Sequence, residues 1–169
     1  MAAAADKAPA FRVLWADTQR SEGIYLLDAR IDYRLARNLR EALHNGVRLT
    51  FEMRVEISRE RDWVWDKTVA GLTQGYRLRY HALSRLYLLT SLNTGVQRSF
   101  QRLDSALARM GQVESLPLLD AALLEADMDY RARLRTSLRV DALPLPLRLR
   151  GYLLPDWKPE SDWYTWPLD

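Results

Sequence analysis

The stretch Val47–Arg59, VRLTFEMRVEISR, alternates strictly between apolar and polar residues from Leu49 onward. Leu49, Phe51, Met53, Val55 and Ile57 fall on one side of an extended chain, and Thr50, Glu52, Arg54, Glu56 and Ser58 on the other, because successive side chains of a strand point to opposite faces. A strand that is greasy on one face and charged on the other belongs to an antiparallel sheet with one wet side. Strands of parallel sheets, covered by helices on both faces, read instead as unbroken apolar runs. Residues 128–140, MDYRARLRTSLRV, repeat the device. Tyr130, Ala132, Leu134, Thr136, Leu138 and Val140 oppose Arg131, Arg133, Arg135, Ser137 and Arg139.

The same period runs outward through the chain. IYLLDARIDY (24–33) sets Tyr25, Leu27, Ala29, Ile31 and Tyr33 against a face with Asp28, Arg30 and Asp32, and YRLRYHA (76–82) sets Tyr76, Leu78 and Tyr80 against Arg77, Arg79 and His81. LYLLTSL (86–92) and VQRSF (96–100) flank Asn93-Thr94-Gly95, a short glycine-containing link that reads as a hairpin. FRVLWAD (11–17) opens the set. LPLRLRGYL (145–153) reads as the last strand, an edge, because Pro144 and Pro146 cannot donate to a ladder.

Two short helices interrupt. Leu35, Leu39, Ala42 and Leu43 recur at helical spacing before an Asn45-Gly46 stop, and Leu103, Ala106, Leu107 and Met110 do so before Gly111. Residues 113–127, VESLPLLDAALLEAD, fit a covering loop or a short helix. About eight strands with few helices predict a mainly β fold: a two-sheet antiparallel β-sandwich of immunoglobulin-like general shape with two short helices. Residues 11–169 form one domain, and residues 1–10 lie outside it.

Composition bounds the chemistry. A chain of 169 residues, 48% hydrophobic and 28% charged, has material for a core of its own. The absence of cysteine removes thiol catalysis, zinc–thiolate sites, iron–sulfur ligation and disulfides. The start MAAAADKAPAF matches the small-residue end of a secretory signal peptide, which points to export, or is an alanine-rich leader on a cytosolic chain. No stretch reaches the roughly 18 apolar residues of a membrane span. A net charge of +3, carried by arginine far more than lysine, argues only weakly for nucleic acid, and no helix or ribbon with clustered charge is available for a groove.

Several longer stretches carry a resemblance: DARIDYRL, EALHNGVRLTFEMRVEI, DWVWDKTVA, YRLRYHALSRLYLL, LNTGVQRSFQRLDSAL, LPLRLRGYL and the closing SDWYTWPL. From about Phe11 to Leu168 the chain resembles a family of exported proteobacterial proteins identified as domain of unknown function 4390. The resemblance implies a signal peptide, a periplasmic location and a signalling partner, since genes of such proteins are associated with neighbours encoding a nitrogen-regulation-type sensor histidine kinase. It brings no active-site motif.

No catalytic set assembles from the residues. The chain has two histidines; His44 adjoins a helix stop, and His81 with Ser84 lacks the strand–turn–helix elbow of a nucleophilic serine. Asp28 and Asp32 stand about 13 Å apart on one strand face, too far for paired-carboxylate hydrolysis. Glu125, Asp127 and Asp129 lack the glycine and distal glutamate of a calcium loop. No phosphate-cradling glycine motif occurs. The expectation is a protein without cofactor or metal and without enzymatic activity.

Two surfaces remain as candidates. Arg131, Arg133 and Arg135 on one strand face, with Arg77 and Arg79 or Arg148 and Arg150 on others, offer an anion-binding sheet for a lipid, glycan or other anionic ligand, unless acids on adjacent strands neutralise them. Trp63 and Trp65 lie in RERDWVWDK (59–67), and Trp157, Trp163 and Trp166 lie in the tail; they either cover the end of the sandwich or serve as anchors for a protein partner. The leading expectation is an exported interaction module that modulates an envelope protein such as a sensor kinase.

Overall fold

The structure is a computed structural model that describes residues 10–60 and 67–169. Residues 1–9, and with them most of the segment read as a signal-peptide remnant, lie outside the described residues, as do Trp63 and Trp65. Among the described residues nine strands and three α-helices follow one another. They are β1 (Phe11–Ser21), β2 (Ile24–Tyr33), α1 (Arg37–His44), β3 (Leu49–Arg59), β4 (Lys67–His81), β5 (Leu86–Ser91), β6 (Gln97–Phe100), α2 (Leu103–Met110), β7 (Gln112–Asp120), β8 (Tyr130–Leu138), α3 (Leu145–Leu153) and β9 (Tyr164–Pro167). They make two antiparallel sheets, one of three strands in the order β1-β2-β7 and one of six in the order β6-β5-β4-β3-β8-β9.

The alternation expected from the sequence sets which side of β2, β3 and β8 is dry. Leu49, Phe51, Met53, Val55 and Ile57 on β3 are all buried, as are Tyr130, Ala132, Leu134, Thr136 and Leu138 on β8 and Tyr25, Leu27, Ala29, Ile31 and Tyr33 on β2. The sheets meet through an aromatic triad. The Phe11 and Tyr33 rings of the small sheet lie 5.8 and 5.7 Å from the Phe51 ring of the large one, and 4.9 Å from each other edge to face. Two hydrogen bonds cross the same interface, Tyr33 Oη with Thr136 Oγ1 at 2.8 Å and Trp166 Nε1 donating to Thr18 Oγ1 at 3.3 Å. α1 supplies Leu39 and Leu43 to the core, and α2 supplies Ala106, Leu107 and Met110.

Burial, only partly offset by the bond with Thr136, holds the Tyr33 phenol well above its ordinary range. The linkage has a definite sign. Below pH of about 10 the phenol is neutral in both states, whereas above it the unfolded chain loses the proton and the folded chain keeps it, so stability falls with rising pH. Tyr33→Phe is expected to cost about 1 kcal/mol at neutral pH, because Thr136 Oγ1 still donates to the Glu52 carbonyl and is not orphaned. The same variant flattens the alkaline decline. Denaturant unfolding at neutral pH and near pH 11 checks both effects, and a deficit that is no smaller at high pH contradicts them.

The structure corrects three expectations. Residues 145–153 form helix α3, not the last strand: Pro144 caps it, Pro146 sits in its first turn where no amide partner is needed, and Leu145, Leu149 and Leu153 recur every four residues. The edge of the large sheet is filled instead by β9 from the tryptophan-rich tail, paired with β8 from Arg131↔Pro167 to Leu134↔Tyr164. The ambiguous segment at 113–127 is mostly strand β7, followed by a short 3-10 turn.

One glycine is demanded by the packing. A Cβ on Gly111, at the end of α2, would lie 2.0 Å from the Ile31 carbonyl oxygen, and the Gly111 carbonyl itself accepts the Ile31 amide at 2.8 Å. Side-chain-free backbone is what allows α2 and the start of β7 to lie flat on β2.

Candidate functional site

The outward face of the large sheet carries the arginines, and strand register decides which are neutralised. Arg133 is the cross-strand partner of Glu56 and donates to it through Nε at 2.8 Å and a terminal nitrogen at 2.5 Å. Arg131 pairs with Glu60 at 2.9 Å, Arg54 with Glu52 at 3.0 Å, and Arg135 with Glu160. Trp163, half-buried, lies beneath two of them, with the Arg133 and Arg135 guanidinium carbons 4.4 and 5.8 Å from its ring centre. This quarter of the sheet is a self-satisfied lattice of ion pairs and cation–π contacts.

Arg77 and Arg79 stand elsewhere. β8 lies between β3 and β9, so β3 separates it from β4, which carries these two. Arg48, not singled out by any motif, joins them around a hollow of about 300 Å³. Arg148 and Arg150 are not on the sheet at all. They belong to α3, where Arg148 donates to the Leu143 carbonyl at 3.3 Å and the Arg150 guanidinium lies 5.9 Å from the Trp157 ring centre.

The tail tryptophans divide. Trp157 and Trp166 are buried in the core, so in this fold their rings cover the sandwich and are closed to a partner, and Trp163 is shielded by arginines. Alternation in the tail, with Trp166 and Leu168 inward, was the available signal for this. Trp15 is more exposed than these three: a bulge between Val13 and Trp15 shifts the register of β1, burying Ala16 and Thr18 and turning Trp15 out at 47% exposure.

Exposed apolar side chains recur at helical spacing on α3. Leu145, Leu149, Tyr152 and Leu153 are 71%, 65%, 61% and 78% exposed, and Leu154 follows them. The opposite side of the helix is docked through Gly151, where a Cβ would meet Val140 at 2.4 Å. Gly151 lets the helix lie close against Val140 while its leucines face solvent.

A cleft of about 320 Å³ opens between the sheets where β7 faces β4, β5 and β6, with Leu89, Met110 and Val113 on its walls and Arg98 and Arg109 among its polar groups. Arg109 donates to the Gln112 carbonyl at 3.1 Å. Arg98 sits across from buried Leu89 on edge strand β6 and so faces inward. An inward charge on an edge strand is a device against pairing with a second chain.

The residues weighed for catalysis have local duties. His81 Nδ1 bonds Ser84 Oγ at 2.7 Å and accepts the Ser84 amide at 3.3 Å within an exposed turn, and among the described residues no carboxylate orients the ring. His44 Nε2 meets the Tyr87 hydroxyl at 2.5 Å, with the Tyr80 ring 5.0 Å away. Asp28 accepts the Ser115 amide at 2.8 Å, steadying a left-handed residue in β7, and Asp32 pairs with Arg34. Glu125 lies 3.6 Å from Arg59. Among the described residues no three potential ligands converge on a metal position, and no helix is long and apolar enough to cross a membrane.

No curated protein and no solved structure matches the chain. A family model does, over residues 8–167. The chain belongs to the family described as a domain of unknown function (DUF4390), as its long strand motifs and closing aromatic segment led one to expect.

Proposed function

We propose that this chain is a non-enzymatic, exported interaction module of the bacterial periplasm, and that helix α3 is the element that docks into an envelope protein. The observation that carries the proposal is the exposed leucine face of α3, four large apolar side chains more than 60% exposed on a single short helix. Such a face, with anchors at i, i+4, i+7 and i+8, is the pattern of a helix laid into an apolar groove. The helix itself carries Arg148 and Arg150 and no acid, so a complementary groove with acids on its rim suits it. The family resemblance suggests the partner, the extracytoplasmic part of a sensor histidine kinase. The sandwich serves as the holder of the helix, and among the described residues no acid, base and nucleophile gather at one place.

The test is titration calorimetry of the purified chain against the purified extracytoplasmic region of a nitrogen-regulation-type sensor histidine kinase from the same bacterium. Leu149→Ser with Leu153→Ser is expected to weaken binding by about 30-fold, roughly 2 kcal/mol, while leaving the melting temperature unchanged because both residues are exposed. Absence of binding by the wild type, equal binding by the double variant, or self-association through the same leucines in place of kinase binding each overturns the proposal.

A further inference from the structure

We infer that Arg48, Arg77 and Arg79 form a binding site for a phosphate-type oxyanion on the outer face of the large sheet, independent of α3. The register assembles it. Thr50 pairs with Arg77 and Leu49 with Leu78, so Arg48, one residue earlier, comes level with Arg79. On the other side Arg77 pairs with Thr90 and Arg79 with Leu88, and Thr90 pairs in turn with Gln97. Arg48, Arg77, Arg79, Leu88, Thr90 and Gln97 line one hollow of about 300 Å³.

Its charge state sets it apart from the rest of the sheet. Arg54, Arg131, Arg133 and Arg135 on the same face each hold a carboxylate. Arg48, Arg77 and Arg79 hold none among the described residues, although like charges side by side on a sheet are unfavourable. An anion removes that repulsion. Guanidinium forks match the oxygens of a phosphate group, which accepts several charge-assisted hydrogen bonds at once. The polar neighbours are suited to the same ligand: Gln97 Oε1 accepts the Thr90 hydroxyl at 3.3 Å, which leaves the Gln97 amide nitrogen as a donor. Leu88 gives the hollow an apolar wall, room for the organic part of a phosphoester.

The shared chemistry has two sources, a free phosphate compound or a phospholipid headgroup, and two probes separate them. Inorganic pyrophosphate is titrated into the chain by calorimetry at low salt, and vesicles of phosphatidylcholine with or without phosphatidylglycerol are tested by co-sedimentation. Arg77→Gln with Arg79→Gln is expected to lower affinity at least about tenfold for whichever probe binds, with the unfolding transition unmoved. The control is Arg12→Gln with Arg20→Gln, which removes the same charge from the other sheet. Loss of pyrophosphate binding in the first variant but not the control supports a soluble phosphate ligand; the same pattern with anionic vesicles alone supports a headgroup. Binding of neither probe, or equal loss in both variants, overturns the inference.

Discussion

Truncating Phe51 to alanine is expected to lower the unfolding free energy by about 3 to 5 kcal/mol. The ring is fully buried, and it is the one member of the aromatic triad that the large sheet contributes against Phe11 and Tyr33. Collapse into the vacated space is resisted because β3 is bonded along its length to β4 on one side and β8 on the other. The cavity therefore stays largely open, and both the lost transfer energy and the cavity cost are felt. Against a typical stability of about 5 to 15 kcal/mol, this loss is large enough to bring the chain close to unfolding. Urea denaturation checks it, with Trp15→Ala as the companion: that ring is about half exposed, and its loss falls well short of the Phe51 effect. Equal effects at the two positions contradict a core built between the sheets.

Gly111→Ala is expected to destabilise by about 3 kcal/mol, a fall in melting temperature of roughly 6 to 12 °C. Its sign is informative. Gly111 has φ −77°, a helical value that alanine adopts freely, so local propensity on its own makes alanine the better residue. Tertiary structure reverses that preference: the new methyl would lie 2.0 Å from the Ile31 carbonyl oxygen, and backbone cannot rotate aside as a side chain can. Relief requires α2 or β7 to lift from β2 and gives up the Ile31–Gly111 hydrogen bond. Gly71→Ala is the contrasting case, with its nearest neighbour at an ordinary 3.6 Å. Thermal unfolding of the two variants separates propensity from packing, and a Gly111→Ala chain that melts above the wild type contradicts the close contact.

What the sequence made legible were the strands whose two faces meet different solvents. β2, β3 and β8 each have a dry side and a wet side, and period two records that directly. β7 was illegible because register shifts at Tyr25/Leu26 and Leu27/Ala29 of its partner, with Pro117 in its midst, break the alternation. The first half of β4 hid behind Gly71, Gly75 and few apolar residues, and its pairing depends on its neighbours. α3 misled because leucines at 145, 147 and 149 satisfy period two and those at 145, 149 and 153 satisfy the helical period. A proline in the first turn suits either element. For the surfaces, the ion pairs of Arg131 and Arg133 follow from cross-strand neighbours that no single segment reveals. Arg48 falls in the polar phase of VRLTFEMRVEISR, but its place beside Arg79 emerges only once Leu49 is set opposite Leu78.

The exposed helix underlies the functional proposal, and the cysteine-free chain permits a direct test of it. Single variants Leu145→Cys, Leu147→Cys, Leu149→Cys and Leu153→Cys are each reacted with a thiol reagent under native conditions. In an extended strand all four side chains share one face and label alike. The helix described above requires rapid labelling at 145, 149 and 153 and slow labelling at 147, which packs against the core. Reaction at 147 as fast as at the other three, or protection at 149 and 153 in the free protein, would contradict it.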